Sequence, residues 1–123
     1  MTQRQANRLF AKNKILVPIF WIRVSVFFTK EEYTQACQWR GEEVPELALG
    51  IFYVSLLENK DTGDTDNVLM IGIFRDEAEV IVHEATHAAL WICDYVGHKI
   101  TKDDEILPYL TQYLFAEISG MKR

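Results

Sequence analysis

Val80, Ile81, Val82, Ala85, Ala88, Ala89 and Leu90 surround the run His83-Glu84-Ala85-Thr86-His87. A helix on the surface would not be so apolar. The segment from about Asp76 to Val96 therefore reads as a buried scaffold helix, and Gly97 stands where a left-handed C-terminal cap belongs. A helix of this kind must be covered by other elements, which excludes an extended or disordered chain. The two imidazoles and the carboxylate inside it need partners, because unpaired polar groups are costly in an apolar interior.

The rest of the chain supplies the cover. With 123 residues, 49% of them hydrophobic and 25% charged, it has the length and composition of one soluble domain. Phe20, Ile22, Val24, Val26 and Phe28 alternate with Trp21, Arg23, Ser25 and Phe27, a strand pattern of period two. Further strands are expected near Leu49–Leu57 and over Val68–Phe74. The acidic run 59–67 would join these two as a long hairpin. Thr29 and Glu32 form a capping box that opens a helix ending at Gly41. A last helix starts near Asp103 or Asp104 and runs to about Ser119, because Pro108 is tolerated only in a first turn. The expected fold class is α+β: a small antiparallel or mixed sheet of about three strands packed with three helices, in one domain over residues 1–123.

Charge and cysteine use narrow the setting. Arg4, Arg8, Lys12 and Lys14 put +4 on residues 1–14, leaving −9 on the rest of a chain whose net charge is −5. Residues 1–14 read as a flexible or helical arm, and no nucleic-acid partner is expected. Cys37 and Cys93 read as reduced thiols. The apolar run Ile15–Ile22 is too short for a membrane span and lacks a cleavage site after it, so a cytoplasmic protein without a membrane partner is expected. Exposed strand edges and many aromatic residues make a homodimer an expectation. The loop 61–66 lacks the glycine and glutamate of an EF-hand.

The pattern His-Glu-x-x-His carries the chemistry. Residues four apart share a helical face, so His83 and His87 can reach one metal ion. Glu84 is rotated by about 100° and points beside that ion, where it can accept a proton from water. Zinc suits such a donor set and lowers the pKa of bound water to about 7. With three histidines in the chain, about 0.006 accidental matches are expected. A catalytic zinc also needs a third protein ligand. His98 is the remaining histidine, and Asp94, Asp103, Asp104 and Glu105 are the acidic candidates. Leu90 and Cys93 stand where a metzincin would have Gly and His. Asp94 lies too far along the helix, and Glu105 is the favoured ligand, with Asp104 and His98 as alternatives. Tyr109, one turn after Glu105, could bond a ligand or stabilise an oxyanion; otherwise it is core. Gly72 would permit close backbone approach if its strand lay at the sheet edge, and otherwise makes room for packing against the helix.

These residues, followed by Gly97 and by Asp104-Glu105-Ile106-Leu107-Pro108-Tyr109-Leu110, resemble the gluzincin metallopeptidases. The likeness is greatest to small single-domain members encoded by tailed phages and prophages, and it covers mainly residues 68–116. Pro108 departs from the pattern, since relatives usually have a small residue there. The resemblance implies a zincin-like fold, with His83, His87 and Glu105 as zinc ligands and Glu84 as general base. It implies peptide-bond hydrolysis, a protein or peptide substrate and, for a phage protein, the host cytoplasm. Catalytic roles fall to Glu84 and Tyr109. In zincins the edge strand beside the metal helix pairs with extended substrate. The rival reading is a zinc-containing, non-catalytic protein that docks on a host protein, because a 14.3 kDa domain has little room for both a core and a deep cleft.

Overall fold

The computed structural model describes residues 1–58, 62–63 and 65–123. The elements in chain order are α1 (Gln3–Lys12), β1 (Lys14–Val17), β2 (Ile22–Phe27), α2 (Lys30–Trp39), β3 (Gly50–Glu58), β4 (Thr65–Ile73), α3 (Ala78–Tyr95) and α4 (Ile106–Ser119). The class is α+β, with four helices and a four-stranded mixed sheet in the order β1-β2-β4-β3. β1 and β2 are antiparallel, β2 and β4 parallel, and β3 and β4 antiparallel.

The fourth strand corrects the expectation of three. The apolar run Ile15–Ile22 is a hairpin: β1 turns at Pro18–Trp21 and returns as β2. The turn is held by Trp21 N–H donating to the Val17 carbonyl at 2.9 Å and Phe20 N–H to the Pro18 carbonyl at 2.8 Å. Ile19 (φ 71°) and Trp21 (φ 54°) occupy the left-handed region, a strained choice for bulky residues. The fourth helix is the basic arm itself. Thr2 and Gln5 form a capping box, with Thr2 N–H donating to Gln5 Oε1 at 2.8 Å and Gln5 N–H to Thr2 Oγ1 at 3.2 Å.

The sheet separates two cores. Ile15, Val17, Ile22, Val24, Val26, Leu69, Ile71 and Ile73 point to one face and meet Ala85, Ala88, Ile92, Leu110, Leu114 and Ile118 of α3 and α4. Phe27, Val68 and Met70 point to the other face and meet Tyr33, Ala36 and Cys37 of α2, with Leu9 and Phe10 of α1 at the margin. Phe10, Phe27, Tyr33 and Phe74 continue edge-to-face there, with centroid spacings of 5.7, 5.8 and 5.7 Å. Cys37 and Cys93 are free thiols buried in opposite cores. Among the described residues no helix is long and apolar enough to cross a membrane.

The glycine signals in the sequence end the helices as expected. Gly41 (φ 71°) closes α2, with Glu42 N–H on the Cys37 carbonyl at 2.9 Å and Gly41 N–H on Gln38 at 3.1 Å. Gly97 (φ 74°) closes α3 in the same way, with His98 N–H on Cys93 at 2.9 Å and Gly97 N–H on Asp94 at 3.1 Å. Only half of the capping box of α2 forms. Thr29 Oγ1 accepts from Glu32 N–H at 3.2 Å, while the Glu32 carboxylate accepts from the Thr29 hydroxyl at 3.3 Å and from Lys12 at 3.3 Å, not from the Thr29 backbone N–H. α4 starts at Ile106, two to three residues after the expected start near Asp103 or Asp104, so Pro108 falls in its first turn. Of the acidic run 59–67, residues 59–61 and 64 lie outside the described residues, and with them Asp61 and Asp64; β3 and β4 on either side pair as a hairpin up to Glu58 opposite Thr65.

Candidate metal centre

α3 crosses the sheet face beside β3, one of the two edge strands. The two elements come close at Gly50. A Cβ there would lie 2.8 Å from Val80 Cγ1 and 3.1 Å from Glu84 Cγ, so a larger residue would press on the metal helix. Two residues further along the strand, the Phe52 ring stacks on the His87 imidazole, with centroids 6.3 Å apart and planes 6° apart.

The helical spacing delivers what it promises. The ligand atoms of His83, Glu84 and His87 lie within 4.8 Å of one another, and the two Nε2 atoms are 3.2 Å apart. Burial divides the three unequally. Glu84 is 4% exposed, while both histidines face solvent. The sequence argument that all three are buried polar groups therefore holds for Glu84 alone. No hydrogen bond from the described residues reaches its carboxylate. Burial pushes the Glu84 carboxyl above its ordinary range, and positive charge on His83 and His87 pulls it back.

Such a donor set fits a divalent ion of zinc type: two exposed imidazoles on one face and a buried acid beside them. The exposure of the imidazoles leaves room for further ligands from solution. A buried carboxyl with a raised pKa is a stronger base than an ordinary carboxylate, which suits it to accepting a proton.

The other candidates fall outside this cluster. Glu105 is the exposed N-terminal flanking residue of α4, and its carboxylate is not among the grouped donors. Asp104 and His98 are spent on each other. His98 Nε2 is hydrogen-bonded to Asp104 Oδ1, and Asp104 also accepts from the N–H of Leu107 at 2.9 Å and of Ile106 at 3.4 Å. Asp104 is thus the cap of α4, and these N–H groups with His98 hold its carboxyl below the usual range. Asp94 is exposed on the last turn of α3. Tyr109 is 51% exposed, so it is not core, and its ring stacks on Tyr113 at 6.2 Å.

Gly72 also takes a different place from the one its sequence context suggested. β4 is an interior strand, with Gly72 opposite Phe27 of β2 and Ile51 of β3. A Cβ at Gly72 would lie 2.4 Å from Phe74 Cζ and 2.9 Å from Ile51 Cγ2, so the glycine makes room for the Phe74 ring and not for a helix. The sheet edge beside β4 belongs to β3, and β1 forms the opposite edge. Sequence reasoning did not find Phe52 as the residue that packs on His87; its only signal was its place in an apolar strand. No family model, curated protein or solved structure matches the chain.

Proposed function

We propose that the chain is a zinc-dependent peptidase of minimal gluzincin type, with a zincin-like arrangement of β3, β4, α3 and α4. The observation that carries this reading is the convergence of His83, Glu84 and His87 within 4.8 Å, two exposed imidazoles beside one buried acid. His83 and His87 would hold the metal. When bound, zinc supplies Lewis acidity and a water acidified to a pKa of about 7. Glu84 takes the proton of the attacking water on a carboxylate oxygen and returns it to the leaving amine nitrogen. Glu105 is the proposed third ligand; its coordination requires the segment 98–105 to bring the carboxylate towards His87. Tyr109, exposed one turn further on, is the proposed oxyanion donor.

The open edge of β3 supports a peptide as the substrate. Its outer N–H and C=O groups are unpaired in the sheet, and an extended chain can add to them as a further strand. The reading predicts cleavage of an unstructured peptide library by the zinc-loaded protein. Glu84→Gln should keep the metal and lower kcat by at least about a hundredfold. Unchanged turnover in that variant would remove Glu84 from its role.

A second reading is favoured by the hairpin tip. Ile19 is 77% and Trp21 70% exposed, both held outward by left-handed backbone. In this reading the tip docks on a host protein and the metal is structural. It predicts that Trp21→Ser abolishes partner binding while Glu84→Gln leaves it intact.

A further inference from the structure

The sheet face opposite α3 carries a cavity of about 290 Å³, enclosed by α1, the start of β1, β2, the end of α2 and β4. At roughly 30 Å³ per water it holds about ten waters, more than a single inorganic anion needs. Phe10 and Val68 form part of an apolar wall. The polar lining is cationic in a chain whose net charge is −5: Lys14, Arg23 and Arg40 stand against one acid, Asp66.

The arginines are not equivalent. Arg40 is 8% exposed and is tied to the protein: Nε donates to Ser55 Oγ at 2.8 Å, one terminal nitrogen to Asp66 Oδ2 at 2.8 Å, and the other to the carbonyls of Asp66 at 2.7 Å and Ser55 at 3.0 Å. Arg40 thereby staples the end of α2 to the β3–β4 hairpin. Arg23 is hydrogen-bonded to the other Asp66 oxygen, Oδ1, and its side chain is 46% exposed. One carboxylate thus serves two guanidinium groups. Lys14 lines the same cavity and has no ion-pair partner among the described residues. Burial first and the neighbouring Arg23 second push the Arg40 guanidinium below its usual range, while Glu42 pulls it back up. Behind Arg40, Ser55 Oγ donates to Glu42 Oε1 at 3.1 Å, so Glu42 and Asp66 offset Arg40 and part of Arg23, and Lys14 is the cation of the lining left without an ion-pair partner among the described residues. The Asn7 side chain, whose Oδ1 accepts from Gln3 Nε2 at 2.9 Å, keeps its own NH₂ free to donate.

We infer that this cavity is a binding site for a phosphate group, free or carried on a small monoester, held by Lys14, Arg23 and the Asn7 amide over the fixed charge of Arg40. Guanidinium and ammonium groups bind phosphate oxygens through short charge-assisted hydrogen bonds. The site is independent of the metal centre, since the sheet lies between them.

The test is a titration of the metal-free full chain with inorganic phosphate at constant ionic strength, followed by calorimetry and by the amide signals of residues 7, 14 and 23. Glycerol phosphate and sodium chloride serve as parallel titrants. The expected result is saturation at one phosphate per chain, weakened at least about tenfold in Lys14→Gln/Arg23→Gln and unchanged in His83→Ala. Tighter binding of glycerol phosphate than of phosphate identifies a monoester as the ligand, and equal binding identifies the free anion. Lys14→Gln alone, a change at an exposed residue, should weaken binding by a smaller factor if the double variant does not fold. A response no larger than that to chloride, equal affinity in the charge variants, or loss of binding in His83→Ala would overturn the inference.

Discussion

At Tyr33 a whole phenol is sealed in the core between Phe27 and Phe74, and its hydroxyl finds no hydrogen-bond partner. Burial drives its pKa far above the ordinary value of 10.0. An unsatisfied buried hydroxyl costs about 1–3 kcal/mol, whereas the ring is well packed. Tyr33→Phe should therefore leave the protein as stable or raise its stability by about 1 kcal/mol, read from urea midpoints at equal slope. Glu84 is a milder case: its side chain is buried and bonded to no described residue, and burial raises its carboxyl, so the ionised form is a cost to the metal-free fold. Glu84→Gln should raise the melting midpoint of the metal-free protein at neutral pH while abolishing hydrolysis by the metal-loaded form. That opposition between stability and activity is the expected mark of a functional residue.

At the scale of elements, the helix ends and the interior strands were legible in the sequence for definite reasons. Gly41 and Gly97 mark left-handed caps that other residues adopt only with strain, and both caps form. Val68–Ile73 is an unbroken apolar run, and the strand that contains it is covered on both faces. The β1–β2 turn uses Ile19 and Trp21 at positive φ, without the Gly or Asn that advertises such turns, so the hairpin reads in the sequence as one strand preceded by an apolar run. For residues 1–14 the sequence leaves a flexible and a helical arm open, and the structure has the helix, with a capping box at Thr2 and Gln5. The donor cluster was legible because helical spacing alone brings His83, Glu84 and His87 together. Its exposure was not, because burial depends on how α3 sits against the sheet. The pairing of His98 with Asp104 depends on the path of the 98–105 loop, which no local pattern encodes. Asp104 supports α4 in its ionised form, so its contribution is complete above its ordinary pKa of 3.8 and is lost as pH falls through its lower folded value. Asp104→Asn should therefore be less stable than the parent at pH 7, and urea midpoints of the two should converge on acidification to about pH 2. Gly50→Ala should cost about 1–3 kcal/mol, because the new methyl meets Val80 and Glu84.

At the scale of the molecule, one sheet divides the labour. On one face α3 and α4 bury a continuous aliphatic core, with the exposed imidazoles at its border next to the open edge of β3. On the other, α1 and α2 enclose an aromatic core and the cationic cavity. The helix that fills the core also presents the proposed ligands, His83 and His87, at its solvent-facing side. The central claim is that His83 and His87 hold a zinc ion. It is tested most directly by elemental analysis of the purified protein beside His83→Ala, His87→Ala and Glu105→Ala. The account predicts about one zinc per chain in the parent, loss in both histidine variants, and weakened retention in Glu105→Ala. Absence of zinc from a parent protein that also fails to take up added zinc, or equal zinc in the histidine variants, would contradict it.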